Sequence, residues 1–386
     1  MKKGKTNRVI VIVPTYNEAE NIGRMLDGLV GRILPKIKGV DVEVLVVDSR
    51  SPDGTANIVR EKMKESRKIT LLQTDKGGLG ADYAKGMRYA MEKMKADAVI
   101  EFDADFQHDP KDIPKLIGAY KNGADYVIGS RYVKGGRIPK EWGLHRKAMS
   151  FFGSLFARVV FVMPQIHDLT SGMKLTSARY LKRVDLDNLL SKYYAYKIHI
   201  LHDVVRMGAK TVEIPIIFHE RERGSSKISR KDLIDSFVVV VKLRIRDSKR
   251  FIKFGIVGFV GYVINATGLE VFFRLGFTPG VAAAIGAELA IISNFSFNNI
   301  WTFRRDKITS TRKILYKFFQ FNLTSLGAVI IQGLVVGIGT GIFGNQWRQV
   351  ILVFAVGLFV VPYNYATYNL FIWRTWKIPF QKWQRT

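Results

Sequence analysis

Val99-Ile100-Glu101-Phe102-Asp103-Ala104-Asp105-Phe106-Gln107-His108-Asp109-Pro110 starts as an apolar, β-like run and ends in carboxylates one residue apart. In an extended chain, residues i and i+2 point to the same side, so Asp103 and Asp105 face one way. Side by side in water they would repel. With the side-chain carbonyl of Gln107 they form an all-oxygen cluster suited to a hard cation, Mg²⁺ or Mn²⁺. A cation held this way usually carries the phosphates of a substrate. A solvated acidic turn after a strand has the same composition, so the context decides.

Upstream, Arg8-Val9-Ile10-Val11-Ile12-Val13 has the continuous apolar character of a strand buried on both faces. A helical period opens at Asn17, with Ile22, Met25, Leu26, Leu29 and Val30 on one face. Val42 to Val47 predicts a second buried strand ending at Asp48, and Ser51-Pro52-Asp53-Gly54-Thr55 turns the chain into another helix. Ile69 to Gln73 is a third strand, after which Gly77-Gly78-Leu79-Gly80 leads to a helix from near Ala81. Ala98 to Phe102 is the fourth, and Ala124 to Ile128, running into Gly129-Ser130-Arg131, the fifth. Strands alternating with helices predict a parallel sheet covered on both faces. Ligands of such sheets sit beyond the carboxyl ends of the strands. That places Thr15-Tyr16-Asn17-Glu18, Asp48, the Gly78 loop, Asp103, Asp105 and Arg131 around one crevice.

The chain has 386 residues, too many for one ordinary core, so two domains are expected. The formal net charge of +27 points to anionic partners: nucleic acid, a membrane surface or phosphate-bearing substrates. There is no Cys, which excludes disulfides and thiolate metal sites. The basic start runs into Pro14-Thr15-Tyr16-Asn17 and not into a small-residue cleavage site, so no secretory signal peptide is expected. Composition changes near Lys231. Residues 231–386 hold 19 Lys+Arg and only 6 Asp+Glu, with long apolar runs between. The mean hydropathy of +0.04 therefore averages two different solvents.

Val13-Pro14-Thr15-Tyr16-Asn17-Glu18, Val46-Val47-Asp48 with Ser51-Pro52-Asp53-Gly54-Thr55, Gly78-Leu79-Gly80, Asp103-Ala104-Asp105-Phe106-Gln107-His108 and Gly129-Ser130-Arg131-Tyr132 follow one another in order. As an ordered set they resemble family-2 glycosyltransferases of the GT-A fold, a Rossmann-like α/β architecture. The match is strongest to dolichyl-phosphate mannose synthases and related polyprenyl-phosphate glycosyltransferases, over roughly residues 8–230. The resemblance implies that Pro14, Tyr16, Glu18, Asp48, Gly78 and Asp103 serve the donor nucleotide-sugar, and that Asp103, Asp105 and Gln107 bind the metal. One departure stands out. The family usually has two adjacent Asp where this chain has Asp48-Ser49.

Arg131, Lys134, Arg137, Arg146 and Lys147 lie close in sequence, and Arg suits bidentate phosphate contacts. Ser150 follows Arg146 by four residues, so a helix would put both on one face. Arg131 and Arg146 match the family's acceptor-phosphate positions. Asp168-Leu169-Thr170-Ser171-Gly172-Met173 matches its Asp-x-x-Ser-Gly loop, and Arg221 to Lys227 its Arg-x-Arg-Gly-x-Ser-Lys segment, which adds Arg223 and Lys227 to the acceptor-phosphate set. A lipid phosphate is already an anion and needs positioning, whereas a sugar hydroxyl needs a general base. If a base is used at all, Asp168 is the candidate. The catalytic set is then Asp105, Arg131 and Asp168.

Ser229 to Arg250 mixes apolar residues with cations and suits helices at a membrane interface. Apolar segments follow at about 254–277, 281–300, 318–343 and 350–373, each long enough to span roughly 30 Å of hydrocarbon. Trp301, Trp347, Trp373 and Trp376 near their ends read as interfacial aromatics. Glu270 and Glu288 lie within spans, where helix–helix hydrogen bonding is expected. Cations before the first span, between the second and third, and in the tail put both ends and the catalytic domain on the cytoplasmic side. This half resembles the GtrA-like four-helix membrane domain at Lys253-Phe254, Val257-Gly258, Asn294-Phe295, Asn298, Trp301-Thr302-Phe303, Tyr368-Asn369 and Trp373. The expected division is a catalytic domain over 1–228, interfacial helices over 229–250 and a membrane domain over 251–386.

Together these readings predict an inverting, metal-dependent transfer of mannose from GDP-mannose to dolichyl phosphate. UDP-glucose with a polyprenyl phosphate is the nearest variant. A processive polysaccharide synthase would carry Gln-x-x-Arg-Trp after the catalytic domain, which this chain lacks. A non-catalytic lipid carrier or flippase would not need Asp103, Asp105, Gln107, Arg131 and Arg223 together. A nucleic-acid binder is disfavoured because the basic charge clusters at membrane edges and not on a recognition motif.

Overall fold

The structure, a computed structural model, describes residues 7–220 and 230–375. The chain forms two compact units, residues 1–245 and 246–386.

The first unit is built on a seven-stranded sheet: β1 (Asn7–Thr15), β2 (Val40–Asp48), β3 (Ile69–Gln73), β4 (Ala98–Glu101), β5 (Tyr126–Ser130), β6 (Lys174–Ser177) and β7 (Thr211–Pro215). Its helices are α1 (Ala19–Leu26), α2 (Thr55–Glu65), α3 (Leu79–Glu92), α4 (Ile113–Lys121), α5 (Leu144–Phe161), α6 (Ala178–Leu181) and α7 (Tyr196–Arg206). Strand order is β3-β2-β1-β4-β6-β5-β7. Val9 to Val13 and Val44 to Val47 are fully buried, as their unbroken apolar runs require, and the alternate sides of β1 and β2 feed two separate cores. The order 3-2-1-4 is the first half of a doubly wound sheet, and it reverses direction between β1 and β4. A crevice opens at such a reversal.

The expected five parallel strands are present, and two more extend the sheet. β6 is antiparallel to both β4 and β5, which corrects the all-parallel expectation. Its four residues are too few to show a period, and its first, Lys174, is a lysine buried in the sheet. The reversal matters for the site. Because β6 runs the other way, its beginning lies at the carboxyl ends of β4 and β5, with Lys174 paired to Glu101. The loop 168–172 that precedes β6 is thereby delivered to the crevice.

The second unit is helical. α8 (Arg230–Arg274) begins in the first unit, and α9 (Pro279–Phe297), α10 (Thr311–Phe343), α11 (Arg348–Ala355) and α12 (Val361–Thr367) follow. α8 is one helix of 45 residues, since no Gly or Pro occurs between Arg230 and Phe254 to interrupt it. Four helical segments are long and apolar enough to cross a membrane: Lys231–Arg274, Pro279–Thr302, Thr311–Phe343 and Asn345–Ile372. Few of their residues are buried within the protein, so most apolar side chains face outward.

The core of this unit is aromatic: Phe254, Phe295, Phe303, Phe321, Tyr368 and Trp373. Trp373 is buried and stacks on Phe303 at 4.2 Å, while its Nε1 donates to Asn299 Oδ1 at 3.1 Å. It is thus a core residue and not the interfacial aromatic expected from its position. Glu270 accepts from Arg274 Nε on its own helix at 2.6 Å, not from a neighbouring helix, and Glu288 is exposed.

Candidate active site

A cavity of about 340 Å³ opens beyond the carboxyl ends of the strands. Pro14, Thr15, Tyr16 and Glu18 line it from the end of β1, Ser49 from just after β2, Lys76 and Gly78 from the β3–α3 connection, Asp82 from the first turn of α3, and Asp103, Asp105 and Gln107 from the segment after β4. Lys76 Nζ sits 3.8 Å from the centre of the Tyr16 ring, a cation–π contact at the mouth of a pocket suited to a flat ring. Gly78 has φ +99°. A Cβ there would stand 2.6 Å from the Lys192 carbonyl, so only glycine lets this loop close on the segment before α7.

At the acidic end, Tyr83 of α3 donates its hydroxyl to Asp103 Oδ1 at 2.7 Å. Lys197 of α7, itself buried, places Nζ 3.6 Å from Asp103 Oδ2. Burial alone would raise the Asp103 carboxyl, but Lys197, the Tyr83 hydroxyl and the other neighbours together hold the group below the usual aspartate range. Asp105 Oδ1 accepts from the Gln107 backbone N–H at 3.1 Å, closing the turn that brings Gln107 alongside. Gly172 fits here for want of space: an added Cβ would lie 2.8 Å from His108 Nε2 and 2.9 Å from Lys197 Nζ. His108 is buried against Phe218 at 4.8 Å. Desolvation pushes its pKa down to about 3, so the ring is neutral.

This donor set fits a divalent cation. Two carboxylates and an amide oxygen are hard ligands, and all three residues open onto the cavity. Among the described residues no group of three or more His, Cys, Asp or Glu is placed to hold a metal ion, so the third protein ligand here would be the Gln107 amide. Such a site leaves ligand positions to water and substrate phosphate, the usual arrangement for Mg²⁺.

Beneath the cavity floor lies a buried charge network. Lys174 Nζ donates to the carbonyls of Leu169 and Lys197 at 3.3 and 3.4 Å. Tyr196 donates to Glu101 Oε2 at 2.6 Å and stacks on Tyr83. Desolvation lowers the Lys174 pKa to about 8 against the opposing pull of Glu101. One lysine thus ties the loop before β6 to the start of α7.

Beyond β5, Arg131 and Asp168 form a buried, bidentate pair. Arg131 Nε and Nη2 donate to the Asp168 carboxylate, both at 2.7 Å, and the Arg131 backbone N–H donates at 3.0 Å. Nη2 also reaches Thr170 Oγ1. Arg131 is thereby held with one edge of its guanidinium committed to Asp168. The pairing corrects the expectation of Asp168 as a base. Burial would raise its carboxyl, but Arg131 more than compensates and keeps it below the ordinary range, and an ion-paired, low-pKa carboxylate is a poor proton acceptor. Helix α5 carries the expected Arg146 and Ser150. Arg146 lies over the Trp142 ring at 4.1 Å, and Ser150 Oγ accepts from the Tyr132 hydroxyl at 2.6 Å. The same helix exposes Leu144, Met149, Phe151, Phe152 and Val159.

Asp48 departs from expectation. It is completely buried, does not line the cavity, and its oxygens are engaged by Thr15 Oγ1 at 3.1 Å, Ser51 Oγ at 2.6 Å and the Ser51 N–H at 3.1 Å. It fastens the end of β2 to that of β1. Arg223 and Lys227 lie outside the described residues. Sequence reasoning missed Asp82, Tyr83, Lys174 and Lys197. The legible signal was a charge inside an apolar stretch, as in Tyr196-Lys197-Ile198 and Met173-Lys174-Leu175.

Residues 10–185 match the model of glycosyl transferase family 2, and residues 253–373 match the GtrA/DPMS transmembrane domain. The dolichol-phosphate mannosyltransferase of Pyrococcus furiosus is 33% identical over 335 residues, covering 85% of this chain and 89% of that protein. The chain belongs to glycosyl transferase family 2. It is a glycosyltransferase with a GT-A-like sheet domain and a multi-pass membrane domain of the GtrA/DPMS type. The undecaprenyl-phosphate mannosyltransferase of Micrococcus luteus is 39% identical over 223 residues, covering 58% of this chain and 88% of that protein. Among solved structures, mannosyl-3-phosphoglycerate synthase from Rubrobacter xylanophilus superposes with a TM-score of 0.45 at 19% identity, covering 63% of this chain and 75% of that one.

Proposed function

We propose that this glycosyltransferase moves mannose from GDP-mannose to dolichyl phosphate or another polyprenyl phosphate, with inversion, on the cytoplasmic face of a membrane. The observation that carries the reading is the pairing, within one unit, of an acidic cavity at the β1/β4 reversal with a cationic flank on an apolar-faced helix. A phosphate headgroup with a hydrocarbon tail needs both cations and greasy surface, and α5 carries Arg146 one turn from the exposed Met149 and exposes Phe151 and Phe152 as well. The names of the relatives from Pyrococcus furiosus and Micrococcus luteus point the same way.

In this reading an acceptor phosphate oxygen, oriented by Arg131, Arg146 and Ser150, attacks the anomeric carbon of the sugar. The bond from that carbon to the diphosphate oxygen breaks, and GDP leaves. A divalent cation held by Asp103, Asp105 and Gln107 would neutralise the charge developing on the departing diphosphate. No proton need be removed from the acceptor, consistent with the lack of a competent base at Asp168. Pro14, Tyr16, Glu18 and Gly78 hold the nucleotide. The cytoplasmic placement rests on the cations that flank the spans, and the membrane domain anchors the enzyme where its acceptor resides.

The test is transfer of radiolabelled sugar into a lipid extract by purified protein, given dolichyl phosphate, Mn²⁺ or Mg²⁺, and GDP-mannose or UDP-glucose in parallel. Label is expected from GDP-mannose. Label from UDP-glucose alone would overturn the donor assignment while leaving the acceptor. A second expectation concerns Tyr83→Phe, which removes the hydroxyl that holds Asp103. The metal concentration for half-maximal activity should rise about 10- to 100-fold, the usual effect of losing such an outer-shell partner. An unchanged metal requirement would separate Tyr83 from the metal site.

A further inference from the structure

Asp82 stands in the first turn of α3, only 6% exposed, and opens onto the same cavity as Tyr16 and Ser49. Its Oδ2 accepts from Ser49 Oγ at 2.7 Å and its Oδ1 from Thr74 Oγ1 at 3.1 Å. Asp48 beside Ser49 is sealed away by Thr15 and Ser51 and does not line the cavity. At the end of β2 the cavity wall therefore gets its carboxylate from α3, where Asp82 is hydrogen-bonded to Ser49.

Its location suits a base. Ser49 lies at the end of β2, two strands from β4 in the sheet, or about 10 Å at the usual strand spacing. That separation matches the distance from a nucleotide's diphosphate to its base. Each carboxylate oxygen has two lone pairs and gives one to a hydroxyl, leaving both oxygens able to accept once more. Burial raises the Asp82 carboxyl against the pull of Ser49, Thr74 and Lys85, so a ligand that donates hydrogen bonds relieves a cost already present. Guanine presents adjacent N1–H and N2–H donors on one edge. Uracil presents one N–H between two carbonyls, so the second oxygen would face a carbonyl. Adenine presents an acceptor at N1.

We propose that Asp82 is a specificity-determining residue that selects a guanine base in the donor. This rests on the GDP-sugar reading above and names the group that enforces it.

The test is binding of GDP, inosine diphosphate and UDP, with Mg²⁺, to the full-length protein in detergent. Wild type would be compared with Asp82→Asn, Asp82→Ala and the swap Ser49→Asp/Asp82→Ala. Inosine diphosphate lacks only the 2-amino group. Wild type is expected to prefer GDP over both others. Either single variant should lose about 10- to 100-fold in GDP affinity, the worth of hydrogen bonds to a charged partner, and the GDP-over-inosine preference should collapse. Asp82→Asn keeps the shape and an acceptor for the hydroxyls, so its melting temperature should stay near wild type. The swap should restore part of the preference. GDP affinity in Asp82→Asn within twofold of wild type would overturn the inference, as would equal losses for GDP and inosine diphosphate, or a swap no better than Asp82→Ala. Wild type binding UDP but not GDP would sink the donor reading itself, whereas GDP binding indifferent to Asp82 would sink this inference alone.

Discussion

Asp105→Ala is expected to abolish sugar transfer, with a loss of about 10³-fold or more in kcat whichever divalent ion is supplied. Deleting a single preorganised group that stabilises leaving-group charge already costs about 10²- to 10³-fold. Here the deletion would remove one of the proposed metal ligands and loosen a second. Asp105 Oδ1 accepts from the Gln107 N–H at 3.1 Å, so the alanine variant also frees the turn that presents Gln107. Asp103 would remain, but it is shared with Lys197 and Tyr83 and could hold a cation only weakly. The fold should survive, because Asp105 lies on a loop at the cavity and not within either apolar core. The measurement is turnover over a range of Mn²⁺ and Mg²⁺, with the melting temperature as control. Near-normal activity with either ion at an unchanged melting temperature would remove Asp105 from the site. An Asp105→Asn variant separates charge from geometry: it can still cap the Gln107 turn, so activity as low as in Asp105→Ala would assign the loss to the carboxylate.

The donor half of the catalytic domain was readable because its physics is local. Continuous apolar runs specify strands buried on both faces, and the residues that follow them must lie at the carboxyl edge of the sheet. Tyr16, Glu18, Gly78, Asp103 and Asp105, set at the strand ends by topology, line one cavity, whereas Asp48 and Arg131, placed there by the same argument, do not. The acceptor half was less legible because it depends on β6. Nothing in Lys174-Leu175-Thr176-Ser177 announces a strand, still less an antiparallel one, and it is this reversal that carries Asp168 to Arg131. Sequence spacing could name both residues but not their partnership. Asp48 fails for a related reason. Its place at a strand end is correct, yet a carboxylate can turn inward as easily as outward, and the hydroxyls of Thr15 and Ser51 decide the matter. In the membrane domain, length and hydropathy find the spans. Whether Trp373 anchors at an interface or fills a core depends on Phe303 and Asn299, distant in sequence from it.

The second large effect is expected at the Arg131–Asp168 pair, whose members should behave differently when removed singly and together. Asp168→Ala leaves a buried guanidinium without its counter-charge, a loss of about 3–5 kcal/mol in stability. That corresponds to a fall in melting temperature of roughly 6–20 °C for a domain of this size. The pair also carries a pH signature. The Asp168 carboxyl is held below its unfolded value by Arg131, so its contribution is fully present above the unfolded aspartate pKa, near 3.9, and is lost as pH falls through the lower folded value. The stability gap between wild type and Asp168→Asn should therefore be constant at neutral pH and close on acidification. A gap independent of pH down to about 2 would show that the charge plays no part. Replacing both partners by apolar residues, as in Arg131→Met/Asp168→Leu, should recover most of the stability, since buried pairs are often replaceable by packed hydrocarbon. If Arg131 serves only the fold, that double variant regains activity with stability. If it orients the acceptor, the double variant is stable and still defective, with the lipid-phosphate KM raised far more than the nucleotide Kd. The second outcome is expected, because an Arg fixed along one edge by a buried carboxylate is held ready to meet an incoming phosphate with the other, and a scaffold needing only to fill space beside Phe218 would have no use for a charge.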